Sequence, residues 1–313
     1  MLSQGTLTEI EGLLIELIKT PSFSGQEKEI GNFVIRQLKG FKVRKQFVGR
    51  DRFNIIAAKG ESKKWLVAHM DTVLGEIPMR ITEEKIFGRG ACDNKQSIAA
   101  SIIVGNQLKN INLLFTVGEE KDFIGARTAQ KAGVKGDLMI IQEPTDFKVI
   151  TGQNGVITFA VRTKGKKQHS SLVGADSAIH KLADILFSLK RNNWILFNIG
   201  QIEGGIAPNV VADKAEAIIT VRPRDIKEYS HILNSLRKVK AEIVVKNNFK
   251  PCRSGFGFPE LISPYFTEMA FFENSIQYGA GDIKFAHSDK EQILRKDLNL
   301  LPEKLIKLLE SIP

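Results

Sequence analysis

Three short runs of apolar residues limit what this 313-residue chain can fold into more than any other feature. The runs lie in the segments KKWLVAH, NLLFTVG and DLMIIQ, and none of them alternates cleanly between apolar and polar residues. Strands that are buried on both faces have this pattern, which is typical of sheets covered by helices. Segments with helical periodicity, NKQSIAASIIVGNQL and FIGARTAQKAG, separate the runs. This alternation of strands and helices predicts a doubly wound α/β domain.

The pattern changes after Thr151, where apolar and polar residues begin to alternate along a predicted strand. The following segments predict strand, helix, strand, strand, helix and strand: NGVITFAVRTKG, ADSAIHKLADILFSLK, WILFNIGQIEGG, KAEAIITVRP, IKEYSHILNSLRKV and AEIVVKNN. This βαββαβ order is that of a ferredoxin-like unit, and its length suits a small inserted domain. We therefore expect a discontinuous α/β domain of residues 1–151 and 256–313, interrupted by an inserted domain of residues 152–255.

Composition and charge argue against several classes of protein. Hydrophobic residues make up 42% of the chain, and no apolar run is long enough to span a bilayer, so we expect no membrane association. The first residues predict an amphipathic helix capped by Thr8 rather than a signal peptide, which favours a cytoplasmic protein. The net charge of +10 comes from scattered residues without a nucleic-acid-binding motif, so we expect no nucleic acid partner. We interpret Cys92 as a buried thiol.

Side chains that can bind metal follow each of the three buried strands, and one more lies in the glycine-rich turn GRGACDNK. They are His69, Asp71, Asp93, Glu119, Glu120 and Glu143. Ligands of open α/β sheets bind outside the carboxyl ends of the strands, so these side chains are expected at one edge. Carboxylates gathered there repel one another unless a cation neutralises them. The sequence thus predicts a metal site, and two ions, because the carboxylates exceed what one tetrahedral ion needs.

Five motifs carry a resemblance to a known family. The motifs are AHMDTV, GRGACDNK, VGEEKDFIGA, QEP and YGAGDIKFAHSDKE. Their order and spacing resemble those of the di-zinc aminoacylase and carboxypeptidase G-type metallohydrolases, which include acetylornithine deacetylase, succinyl-diaminopimelate desuccinylase and several dipeptidases. Each motif is weak alone, but the ordered set is specific and covers nearly the whole chain. The resemblance implies a catalytic α/β domain and an inserted lid that also forms a homodimer.

The resemblance also implies a role for each matching residue. The metal ligands would be His69, Asp93, Glu120, Glu143 and His287. Asp93 would bridge two divalent ions, Asp71 would orient His69, and Glu119 would act as the general base. Zinc is the expected metal, with cobalt and manganese as alternatives. Members of the family often have a cis peptide bond after the bridging aspartate, which here joins Asp93 to Asn94.

Three residues of the inserted domain match segments that contact substrate in this family. His169, in RTKGKKQHSS, would stabilise the oxyanion from across a dimer. Asn209 and Arg222 would hold the substrate carboxylate, for which the planar guanidinium is well suited. Without the resemblance, Asn209 would be interpreted as a turn residue after Pro208 and Arg222 as a surface residue at a strand end.

The resemblance leads us to expect a metal-dependent amidohydrolase that removes an N-acyl group from an amino acid. The segment QEPTD and the strand beyond it most resemble the acetylornithine and acetyl-lysine deacetylases of arginine and lysine biosynthesis. Some relatives of this branch release lysine or ornithine from an acidic amino-group carrier protein, a partner that the positive charge would suit. The alternatives are a metallo-exopeptidase or dipeptidase and, in a different class, a binding protein that has lost catalysis.

Overall fold

The structure is a computed structural model that describes residues 7–172, 174–192, 194 and 196–312. The helices are α1 (Glu9–Lys19), α2 (Lys28–Gln37), α3 (Lys95–Gln107), α4 (Ile124–Lys131), α5 (Ala178–Lys190), α6 (Ile226–Arg237) and α7 (Arg295–Ser311), with two short 3-10 helices at Glu268–Phe271 and Ile283–Phe285. The strands are β1 (Lys42–Phe47), β2 (Phe53–Lys59), β3 (Lys64–His69), β4 (Arg80–Ile81), β5 (Lys85–Phe87), β6 (Ile111–Thr116), β7 (Leu138–Ile141), β8 (Gly152–Gln153), β9 (Val156–Lys164), β10 (Phe197–Gly204), β11 (Lys214–Val221), β12 (Glu242–Phe249), β13 (Cys252–Arg253), β14 (Ile262–Ser263), β15 (Ser275–Gln277) and β16 (Gln292–Leu294).

The chain divides into two compact units, which we call the first unit and the insert. The first unit contains the chain up to Thr151, the segment Ser254–Leu261, and the chain from Thr267 onward. The insert contains Gly152–Arg253 and Ile262–Phe266. Our sequence-based boundaries keep all of residues 256–313 in one domain, whereas the structure groups Ile262–Phe266 with the insert. The physical reason is that β14 pairs in parallel with β8 of the insert.

A six-stranded sheet in the order β1-β2-β6-β3-β7-β15 forms the centre of the first unit. Strands β3, β6, β7 and β15 are parallel, whereas β1 and β2 are antiparallel to their neighbours. Every residue of β6 and β7 is buried, as expected for strands covered on both faces. Helix α3 packs on β3 and β6 and also contacts α1 and α7, while α2 and α4 contact β2. The predicted α/β fold is therefore confirmed.

The insert is built around a four-stranded antiparallel sheet in the order β10-β11-β9-β12. Its elements follow one another as β9, α5, β10, β11, α6 and β12, which confirms the predicted βαββαβ unit. Ile157, Phe159 and Val161 of β9 belong to an apolar core that also contains residues of both helices. Arg162 and Lys164, which alternate with them along the strand, are exposed. One face of this sheet is thus buried in the apolar core, whereas the other includes exposed charged side chains.

None of the helices in the described part of the chain combines the length and the apolar character needed to cross a bilayer.

Candidate metal centre

The ends of parallel strands bring the predicted ligands of the first unit together. His69 is the last residue of β3, Glu119 and Glu120 follow β6, and Glu143 follows β7. Because these strands run in the same direction, their carboxyl ends meet at one edge of the sheet. Asp93 reaches this edge from the turn before α3.

Three overlapping groups of these side chains have the spacing that a metal ion needs. The groups are His69, Asp93 and Glu143; Asp93, Glu120 and His287; and His69, Glu119 and Glu120. Within each group, one possible ligand atom from every residue lies within 4.8 Å of the others. The first two groups are the two ligand sets that the resemblance implies, and they share Asp93. The cluster thus has the composition of a two-ion site with a bridging carboxylate.

Asp93 lies between the two histidines. Its Oδ1 is 3.0 Å from Nε2 of His69, and its Oδ2 is 3.5 Å from Nε2 of His287. Burial raises the pKa of Asp93, but the hydrogen bonds from His287 and His69 outweigh burial and leave this pKa below its usual value. The side chain is therefore an anion with one oxygen toward each imidazole. The Asp93–Asn94 peptide bond is cis, as the resemblance implies.

Asp71 holds the turn that carries Glu119 and Glu120. Its two carboxylate oxygens accept hydrogen bonds from the backbone N–H groups of Glu119, at 3.0 Å, and Glu120, at 3.1 Å. Ser24 Oγ donates to the same carboxylate at 2.7 Å. Nδ1 of His69 donates to the backbone oxygen of Asp71 at 2.9 Å and lies 3.7 Å from its carboxylate. Asp71 therefore contacts His69 mainly through its backbone and positions the Glu119–Glu120 turn through its side chain.

The buried carboxylates of the cluster destabilise one another's charge. Burial raises the pKa of Glu119 well above its usual value, and the charges of Glu143 and Glu120 raise it further. Burial and the charge of Asp93 likewise raise the pKa of Glu143 well above its usual value. His287 responds in the opposite direction, because hydrogen bonds to Asp93 and Glu120 raise its pKa to about 10. A site with this excess of negative charge is suited to cations.

Two further buried carboxylates that sequence reasoning missed support the cluster. Glu291 accepts hydrogen bonds from the backbone N–H groups of Cys92, at 3.1 Å, and Asp93, at 3.0 Å, so it fixes the turn before α3. Glu268 accepts a hydrogen bond from Thr116 Oγ1 at 2.9 Å, and burial raises its pKa to about 7. Glu291 is the last residue of the motif AHSDKE, so the sequence contained a signal for this residue. Glu268 lies outside every motif of the sequence analysis.

Backbone pairing brings together two of the three site residues that were predicted in the insert. His169 and Asn209 are neighbours, because the N–H of Ser170 donates to the backbone oxygen of Asn209 at 3.0 Å. Both side chains are exposed, and Nδ1 of His169 is 2.7 Å from the hydroxyl of Ser171. Arg222 follows β11 and is half-buried, and its Nη1 has no hydrogen-bond partner among the described residues. Within the described part of the insert, no hydrogen bond joins Arg222 to His169 or Asn209.

Comparison with known proteins identifies the family. Residues 151–247 match the model of the peptidase dimerisation domain. A peptidase M20 domain-containing protein of Schizosaccharomyces pombe is 32% identical over 312 residues, which cover 88% of this chain and 78% of that protein. The chain belongs to the M20 peptidase family.

A further relative and two solved structures are also similar to this chain. A probable carboxypeptidase of Aspergillus clavatus is 33% identical over 66% of this chain, but the match spans only 60% of that protein's length. A tripeptidase of Staphylococcus aureus has a TM-score of 0.84 and 20% identity, with 98% of this chain and 99% of that chain covered. An M20 metallo-carboxypeptidase of Sulfolobus solfataricus has a TM-score of 0.77 and 18% identity, with 97% and 99% covered. The two structures support the fold of both units.

Proposed function

We propose that this protein is a metal-dependent exopeptidase that removes an amino acid from the carboxyl end of a short peptide. The observation that carries the proposal is the buried cluster around Asp93, whose ligand atoms lie within 4.8 Å of one another in two groups that share this residue. The names of the relatives favour a carboxypeptidase over the deacetylase that we expected from the sequence. Those names give no support to an acidic carrier protein or to a role in arginine or lysine biosynthesis.

The residues of the cluster fit a pair of divalent ions. Imidazole nitrogens and carboxylate oxygens are the usual protein ligands of zinc at catalytic sites, and cobalt and manganese accept the same set. In our proposal His69 and Glu143 would hold one ion, Glu120 and His287 would hold the other, and Asp93 would contribute to both sites. Bound ions would supply Lewis-acid chemistry for a water molecule and the scissile carbonyl.

Glu119 is our candidate for the general base. The Asp71 carboxylate holds the backbone of Glu119, so the base is attached to a fixed turn beside the ligands. Its carboxylate accepts the proton of the attacking water and donates it to the nitrogen of the leaving amino acid. Burial raises the pKa of Glu119 and the charges of Glu143 and Glu120 raise it further, so bound cations would favour the ionised form of this side chain.

Arg222, Asn209 and His169 are our candidates for substrate recognition. Burial lowers the pKa of Arg222, and its Nη1 is unpartnered among the described residues. A carboxylate is the natural partner for such a guanidinium, which is consistent with a substrate that has a free carboxyl terminus. We expect Arg222→Lys to raise KM for peptides more than it lowers kcat, because lysine keeps the charge but loses the bidentate contact.

The match to the dimerisation domain leads us to propose a homodimer in which His169 acts in the partner's active site. Complementation tests this role. His169→Ala and Glu119→Gln proteins, each inactive alone, are mixed under conditions that exchange subunits. If His169 acts across the dimer, mixed dimers regain activity, because one of their two sites has both groups. If His169 acts within its own chain, no activity returns.

A substrate panel tests the proposed reaction. Zinc- or cobalt-loaded protein is incubated with an N-blocked dipeptide, a tripeptide, N-acetylornithine and N-acetyl-lysine, with and without a chelator. We expect chelator-sensitive release of the carboxyl-terminal amino acid from the peptides. Release from the two acetylated amino acids alone would favour a deacylase. Such an enzyme would use the same chemistry as the peptidase, and its substrates have the same free carboxylate. No release from any substrate by metal-loaded protein would support the binding-protein alternative.

A further inference from the structure

A cavity of about 460 Å³ in the first unit lies outside the metal-ligand cluster. It is lined by residues at the end of α1, residues 21–23 and 76–79, and the side chains of Thr72, Arg89 and Lys95. Its volume is within the range of roughly 300–1,000 Å³ that is typical of small-molecule sites. None of the proposed metal ligands lines this cavity, and neither does Glu119.

The residues that line the cavity include two buried cations with unused hydrogen-bond donors. Lys95 is 2% exposed, and its Nζ donates to the backbone oxygen of Thr20 at 2.9 Å. No carboxylate of the described residues forms an ion pair with Lys95. Arg89 is 9% exposed and donates from Nε and Nη1 to Gly75 and Glu291, which leaves its Nη2 without a partner in the described part of the chain. A buried ammonium group without a counterion is costly, so the cavity is suited to an anion.

Two buried hydroxyl groups belong to residues that line the same cavity. Ser22 is fully buried, and Thr72 is 1% exposed. Neither Ser22 Oγ nor Thr72 Oγ1 has a hydrogen-bond partner among the described residues. Most buried polar side chains in proteins are hydrogen-bonded, so two unpartnered hydroxyls among the residues of one cavity are unusual.

Other residues that line the cavity are more exposed. Phe23 and Ile77 are half-buried, and Pro78 and Met79 are exposed. Glu76, also exposed, is the one carboxylate that lines the cavity and has no ion pair within the described residues. The lining residues thus include cations, apolar side chains and one carboxylate, which match the three parts of a free amino acid: its carboxylate, its apolar side chain and its ammonium group.

We propose that this cavity binds a free amino acid with an apolar side chain. The carboxylate pairs with Lys95 and Arg89, the ammonium group pairs with Glu76, and the side chain packs against Ile77 and Met79. Binding here does not depend on peptidase activity. Arg89 also donates to Glu291, which accepts from the backbone of Cys92 and Asp93, so one hydrogen-bond chain connects the cavity to the proposed bridging residue.

Calorimetric titration with leucine tests the proposal on the full chain, both metal-loaded and after chelation. We expect one leucine per chain to bind the chelated protein, because the cavity contains no proposed metal ligand. Leucinamide lacks the carboxylate and N-acetylleucine lacks the ammonium group, so each should bind at least about tenfold more weakly. Inorganic phosphate, as a bare anion, should also bind more weakly than leucine.

Glu76→Gln is the decisive variant, because the side chain is exposed and its loss should not affect folding. It should weaken leucine binding by at least about tenfold and leave N-acetylleucine binding unchanged. Glu61→Gln, an exposed carboxylate of the same unit that does not line this cavity, is the matched control. The proposal is overturned if leucine binds only metal-loaded protein, if phosphate binds as tightly as leucine, if Glu76→Gln binds leucine normally, or if no leucine binds.

Discussion

The two main sheets of this protein differ in how many of their faces are buried. The central strands β6 and β7 of the six-stranded sheet of the first unit are buried on both faces, since every one of their residues is buried. The four-stranded sheet of the insert buries one face against α5 and α6. Its other face has polar side chains such as Arg162, which forms ion pairs with Glu216 and Glu242 of the neighbouring strands.

This difference explains where reactive groups can lie. A strand that is buried on both faces has no position along its length for a charged side chain, so polar groups are confined to the strand ends. In the first unit these ends meet at one edge, and histidine and carboxylates gather there. The strands of the insert can have charges along one face, so their polar residues are spread out and form no comparable cluster within the described residues.

The largest expected effect is on catalysis at the strand ends. Glu119→Gln should keep its metal and lower kcat by roughly 10²–10⁴-fold, the usual contribution of a general base. Steady-state kinetics and metal analysis of the same sample check both parts. Glu61→Gln, which changes an exposed carboxylate of the first unit, is the control and should have normal activity. Full activity of metal-loaded Glu119→Gln would remove Glu119 from the mechanism.

Paired substitutions in neighbouring residues test the two kinds of sheet directly. Ile140 and Ile141 of β7 point to opposite faces and are both buried, so each alanine variant should lose about 2–5 kcal/mol of unfolding free energy. In β11, Ile219 is buried but Ile218 is only partly buried, so Ile219→Ala should cost much more than Ile218→Ala. Chemical denaturation measures all four. Equal losses for Ile218 and Ile219 would contradict the one-faced description.

Glu268 should make the stability of the metal-free protein depend on pH. Burial raises its pKa to about 7 in the folded chain, above the usual value of 4.5, so the folded state favours the protonated form. Stability from this group is therefore present below about pH 4.5 and is lost as the pH rises through 7, with a total on the order of 3 kcal/mol. Denaturation of chelated protein across this range should reveal the loss. Glu268→Gln should reduce the slope, and an unchanged slope would contradict the assignment.

The smallest effect is expected on the polar face of the insert. Arg162→Ala removes two exposed ion pairs, which contribute little because solvent screens them. We expect no measurable change in the melting temperature. A large decrease would indicate that this face is not simply solvated.

Much of the fold could be predicted because each of its signals is local. Apolar runs without alternation predicted β3, β6 and β7, and alternation predicted the strands of the insert. The short strands β8, β13, β14 and β15 were not predicted, because two or three residues carry no periodicity. Their pairing depends on partners far along the chain, as when β15 joins β7.

The candidate site could be predicted where a ligand directly follows a strand. His69, Glu119, Glu120 and Glu143 follow directly from strand order, whereas His287 came from the family motif alone. The supporting contacts could not be predicted, since they join distant parts of the chain. Glu291 contacts the backbone of Asp93 across 198 residues of sequence, and Glu268 reaches Thr116 across 152. Only the folded chain brings such pairs together.

The most direct test of the metal centre is the number of divalent ions bound per chain. Purified protein is stripped with a chelator, reconstituted with excess zinc, desalted and analysed by mass spectrometry of the metal. Two ions per chain are expected for the unmodified protein, and fewer for Asp93→Asn, which weakens the shared ligand. One ion or none in the unmodified, folded protein would contradict a two-ion centre bridged by Asp93.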